Sequence, residues 1–190
     1  MTLAALAGPS ALVAAVATVL GAAFLILFFA KGGLWGPLND VASIVMMLAT
    51  IPVVLYVRQI TAPYAPAPVQ LTIVGIGVVG MLGASLAQGL LIARVRTYQQ
   101  LLPWMLGFGA VVGVWYVLAG AILLVVMATP LLAALAILSG LGYVAIGYGF
   151  LRGNERHPLS IAGGVVLLIA STAFLTWIGV VAIADYGLSR

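Results

Sequence analysis

Charged side chains are rare along this chain and widely spaced. Lys31, Asp40, Arg58, Arg94, Arg96, Arg152, Glu155, Arg156, Asp185 and Arg190 leave long uncharged, apolar stretches between them. A charge at the centre of a bilayer costs roughly 2.5–3.5 kcal/mol even on the mildest insertion scales, so those stretches are the natural membrane spans. One crossing needs about 20 apolar residues. The interval from Thr97 to Leu151 is too long for one helix, and Met127-Ala128-Thr129-Pro130 supplies a turn with proline suited to the next first turn. The pattern predicts six helices over 10–30, 38–57, 69–92, 103–127, 130–151 and 160–184. Continuous Ala- and Leu-rich runs without period-2 alternation do not describe a membrane β-barrel. The fold class expected is therefore all-α, a polytopic transmembrane helix bundle forming a single domain.

Several local features refine this layout. Pro52 removes a hydrogen bond to the Leu48 carbonyl, so the second helix is expected to kink. Thr61-Ala-Pro63-Tyr64-Ala-Pro66-Ala-Pro68 favours extended backbone and predicts a stiff connector. Trp35, Tyr64, Tyr98, Trp104 and Tyr186 fall near span ends, where amphipathic rings prefer the interface. Lys31, Arg94, Arg96, Arg152 and Arg156 occupy the first, third and fifth loops, against Arg58 and Arg190 on the other side. The positive-inside rule then places both termini outside the cytoplasm. No Lys or Arg precedes Lys31, and Phe28-Phe29-Ala30 is a poor cleavage site, so the first span reads as a retained helix.

Composition agrees and removes whole classes of function. Hydrophobic residues make up 65% of the 190 and charged residues 5%, too few to cover a water-facing surface. Mean hydropathy is +1.33. The net charge of +4 is dispersed over short loops, which argues against nucleic acid as a partner. The absence of cysteine excludes disulfides, thiolate catalysis and cysteine-held metals. A single histidine, His157 in a polar loop, cannot assemble a metal or haem site, and Lys31, the lone lysine, sits at a span end rather than deep in a helix. No phosphate-binding loop, dinucleotide fingerprint or HExxH motif is present, so no cofactor and no catalytic residue is expected.

What remains is small residues and a few polar ones. Gly109 and Gly113 form a GxxxG extended by Tyr116 and Gly120; Gly77, Met81, Ala84 and Gln88 share a face of the third span, as do Thr172, Thr176 and Gly179 in the sixth. Small residues let helix backbones approach where lipid offers no hydrophobic drive. Gly77, Gly109, Gly113 and Gly120 are the expected packing positions, serving either the bundle itself or a partner subunit, with Val112 expected to face lipid. Asp40, Ser43, Met47 and Thr50 fall on one helical face. Asp40 either helps bind a cation, a proton or a substrate ammonium, or the second helix is capped by Asn39 or Asp40, with Pro37 equally able to place the cap near Gly36. Gln88 and Tyr148 would join Asp40 in a polar ligand-binding cluster at the cytoplasmic half.

Gly36-Pro-Leu-Asn-Asp40, Ser139-Gly-Leu-Gly-Tyr143, His157-Pro158-Leu159 and Thr176-Trp177-Ile-Gly179 together give a cadence that resembles small six-helix bacterial membrane proteins. That resemblance implies a fold and no activity, so it transfers no functional residue. Few polar groups and abundant small-residue faces favour a non-catalytic membrane protein, an accessory subunit of a larger membrane complex, with membrane lipids and other subunits as partners. The alternative is a small transporter or binder of an apolar or lipid-like molecule.

Overall fold

The computed structural model describes residues 2–126, 129–153 and 157–188. Six helices follow one another: α1 (Leu3–Lys31), α2 (Trp35–Thr61), α3 (Ala67–Ile92), α4 (Tyr98–Val126), α5 (Pro130–Arg152) and α6 (Pro158–Leu188). Each is long and apolar enough to cross a membrane. At 1.5 Å per residue they also exceed a hydrocarbon core of about 30 Å, so their ends reach the headgroups. Met127, Ala128, Glu155, Arg156 and Arg190, used above to place turns and orientation, lie outside the described residues.

Each helix packs on its neighbours in sequence, and α6 closes onto α1, giving an antiparallel ring of six. The contacts run in reverse register, as an up-and-down bundle requires. Gly77, Gly80 and Gly83 of α3 meet Trp115, Val111 with Val112, and Phe108 of α4 in turn. One end of the ring carries Lys31, Arg94, Arg96 and Arg152, and is called here the basic end; Arg58 lies at the other.

Packing follows membrane logic. The buried residues of α1 are all alanine or glycine: Ala4, Ala7, Gly8, Ala11, Ala14, Ala15, Ala17 and Gly21. Bulky aliphatics such as Ile26, Leu86 and Ile169 are about two-thirds exposed on the outside. Lipid solvates such side chains as well as a protein core does, so van der Waals contact between small residues holds the helices together. The ring is not hollow. Trp115, Tyr116 and Phe174 meet inside it, with Tyr116 edge-on to Phe174 at 5.7 Å between centroids. Met81, Val53 and Leu175, each fully buried, complete this layer.

The helices overrun the expected spans. α1 begins seven residues before position 10 with Pro9 inside it, because Gly8 packs on Gly179 and Ile183 of α6 and tertiary contact carries the helix through the proline. α4 likewise starts at Tyr98 and contains Pro103. The α2–α3 connector is only partly extended. Ala62–Tyr64 form a 3-10 turn, and extended backbone is confined to Ala65 and Pro66. Buried Gln70 explains the compaction, donating through Nε2 to the carbonyls of Thr61 and Ala65, both at 3.0 Å. Gly32 and Gly33, at φ +66° and +67°, make the tight turn between α1 and α2.

Candidate functional site

Several hydroxyls in the spans are satisfied within their own helix, while those of Ser85 and Thr172 are buried without a partner. Thr18, Thr50, Ser139 and Ser171 each donate to the carbonyl four residues earlier, at 2.6–2.8 Å. At the end away from the basic residues, polar groups are also paired between elements. Tyr56 of α2, buried, donates to the Asp185 carboxylate of α6, and Gln70 holds the connector. Neither Tyr56, Asp185 nor Gln70 stands out in the sequence. They read as interfacial or span-end residues until tertiary structure supplies the partners.

The basic end is different. A cavity of about 200 Å³ lies there between four helices. Met47 of α2 and Ala84 and Gln88 of α3 form one wall. Tyr98, Leu102, Met105, Leu106 and Gly109 of α4 form another, and Tyr143, Ile146, Gly147 and Phe150 of α5 close it. The lining is apolar except for Gln88 and two tyrosines. Gln88 Oε1 is buried with no hydrogen-bond partner. Such an acceptor is uncommon in a folded protein and costs free energy unless something else satisfies it. Tyr98, 43% exposed at the start of α4, marks where the cavity meets the surface. A wider depression of about 500 Å³ on α6, lined by Ala173, Thr176, Trp177 and Val180, is an open lipid-facing surface on one helix and encloses nothing.

The structure does not bring Asp40, Gln88 and Tyr148 together. Gln88 lines the cavity. Asp40 is half-buried on α2, two turns before Met47 and on the same face, so register puts it toward the cavity's outer end without lining it. Tyr148 is 46% exposed and points to the outside, where its hydroxyl accepts from Arg152 Nε at 2.9 Å. Tyr143 takes the inward place instead. Five residues apart on a helix is about 140° of rotation, so Tyr143 and Tyr148 could not share a face. The capping reading of Asp40 is also corrected. α2 starts at Trp35 with Leu34 as its cap residue and no side-chain cap bond, which leaves Asp40 well inside the helix.

The four expected packing glycines divide. Gly77 lies against the Trp115 indole; Gly113 and Gly120 lie against backbone carbonyls of Gly140 and Ala133 on α5. Gly109 stands apart, since a Cβ there would meet only Tyr143 Cδ1, at 3.7 Å, and it lines the cavity. Val112, expected to face lipid, is instead fully buried against Gly80. α4 packs on both α3 and α5, so its buried face is wider than one GxxxG stripe. Gly8, Gly140, Gly142, Gly149 and Gly163 are further close contacts that the sequence reading missed among so many glycines.

No grouping of three or more His, Cys, Asp or Glu able to hold a metal occurs among the described residues. No protein-family model, curated protein or solved structure matches the chain. Its assignment therefore rests on its own chemistry: an integral membrane protein of six helices, with a small, mainly apolar cavity at its basic end.

Proposed function

We propose that this protein is a non-catalytic membrane protein that binds, or hands across a leaflet, a lipid-like molecule held in the cavity at the basic end. One observation carries the reading: an apolar recess with a single unpaired buried acceptor, Gln88 Oε1, at its polar margin. That combination suits an apolar chain or ring with one donor group near its head. Ligand pockets for drug-sized molecules run about 300–1,000 Å³, so about 200 Å³ suits part of an amphiphile, such as one chain segment. The aromatic layer of Trp115, Tyr116 and Phe174 argues against an open channel, since passage beyond it would require the helices to repack.

An accessory subunit of a larger membrane complex is the second reading. The small-residue faces that suggested a partner, at Gly77, Gly113, Gly120 and Gly179, are occupied by contacts within the ring. The orientation that fits the charge pattern has the basic end, and so the cavity, in the cytoplasmic leaflet of a bacterial inner membrane, with both termini on the far side.

Filling the recess tests the reading. Gly109 has room for a side chain on the cavity side, so Gly109→Leu should fold, gaining up to about 1 kcal/mol of helix propensity. Native mass spectrometry of protein extracted with its own lipid should show a bound amphiphile on the wild type and none on this variant. Equal retention by both proteins would remove the cavity as the binding site.

A further inference from the structure

The five residues joining α3 to α4 do not line the cavity but adjoin its rim, since Gln88 in the last turns of α3 and Tyr98, directly after them, both line it. This loop carries Arg94 and Arg96, both exposed. Arg94 closes α3 in a left-handed conformation, φ 56°, and is the only non-glycine residue with positive φ among those described. Its N–H donates to the Leu91 carbonyl and the Val95 N–H to the Leu90 carbonyl, each at 3.0 Å. That double bond pattern is the helix end at which glycine is the usual residue. An arginine here carries a steric cost that glycine would not, and brings a guanidinium to the rim.

Neither the Arg94 nor the Arg96 guanidinium has an ion-pair or hydrogen-bond partner among the described residues, whereas that of Arg152 at the same end is held by Tyr148. The apolar recess, the orphaned Gln88 carbonyl and two unpaired guanidinia thus follow one another from the interior to the surface. We infer that the ligand is an anionic single-chain amphiphile, its chain between α3, α4 and α5 and its phosphate or carboxylate head on Arg94 and Arg96. Guanidinium matches both heads through paired, charge-assisted hydrogen bonds. A protonated phosphate or a hydroxyl near the head can donate to Gln88 Oε1. Asp40, half-buried at the same end, is the opposing charge that would favour an ammonium head instead. One guanidinium pair against one carboxylate sets the preference toward an anion.

This inference rests on the cavity reading above, and its test separates the two. Dodecyl phosphate, dodecyltrimethylammonium and dodecanol are titrated into the full-length protein in nanodiscs of zwitterionic lipid, with inorganic phosphate as a fourth arm. Dodecyl phosphate should bind more tightly than dodecanol by about fivefold per arginine engaged, the equivalent of ~1 kcal/mol each. Inorganic phosphate should not displace it, which assigns the site to a lipid head rather than a free anion. Arg94→Gly with Arg96→Ala should erase the preference while thermal stability holds or rises, because glycine relieves the left-handed strain. A preference that survives the double variant, or an ammonium preference abolished by Asp40→Asn, overturns the inference. Dodecanol binding that is lost in Gly109→Leu but insensitive to the head also overturns it, while leaving the cavity reading intact. No binding by any amphiphile overturns both.

Discussion

A Cβ placed on Gly113 would lie 2.9 Å from the Gly140 carbonyl oxygen, and Gly140 faces the Gly113 carbonyl in return. At this crossing the two backbones touch, and any side chain must push them apart. Gly113→Leu is therefore expected to destabilise the bundle by about 1–3 kcal/mol or more, the usual range for overpacking. Val114→Leu, on the same helix but 45% exposed to lipid, should lie within about 0.5 kcal/mol of wild type. Thermal unfolding in nanodiscs measures both, and equal stability would refute the contact. The same scale shows where sequence reading stops. A GxxxG motif marks Gly109 and Gly113 alike, because periodicity identifies a helix face but not what lies opposite. Opposite Gly113 is a backbone; opposite Gly109 is a tyrosine ring and empty volume. Gln88 could be read as a site residue because an uncharged amide is conspicuous in an apolar helix. Helical geometry separates Tyr143 from Tyr148 by about 140°, but only the fold shows that Tyr143 is the one facing the cavity.

Six helices were legible in the spacing of charges, since burying a charge in hydrocarbon is costly enough to mark the end of each span. Helix ends were less legible, and for physical reasons visible at Pro9 and Pro103. Proline argues for a helix start, but membrane-embedded helices tolerate it where neighbours hold the backbone, as α6 holds α1 at Gly8. The connector at Ala62–Tyr64 departs from its sequence pattern for a similar reason: its prolines favour extension, and Gln70, the fourth residue of α3, folds it back. The alternation of loops also carries the topology. With no native cysteine, Tyr64→Cys and Val95→Cys each offer one exposed thiol, on opposite ends of the ring. A membrane-impermeant maleimide added to intact cells should label Tyr64→Cys and reach Val95→Cys only after the cells are opened. Labelling of both from outside would contradict the arrangement of α2, α3 and α4.

For the whole molecule, the two ends of the ring differ in kind. One carries polar groups paired between elements, Tyr56 with Asp185 and Gln70 with the connector, beside one unpaired hydroxyl at Thr129; the other has a recess, an unpaired amide oxygen and a strained arginine beside it. Between them sits a closed aromatic layer. Such a division suits a protein that is rigid on one side and receives a molecule on the other. The basic end and Gln88 are legible in the sequence, but the recess is not, because it forms from four helices whose lateral order only the fold supplies. The most direct measurement is a density map of the particle extracted with its native lipid. The account predicts an elongated non-protein feature between Met47, Ala84, Gly109 and Ile146, extending past Gln88 toward the α3–α4 loop. A recess closed by the Met105 or Phe150 side chains, with no feature beyond them, would contradict it.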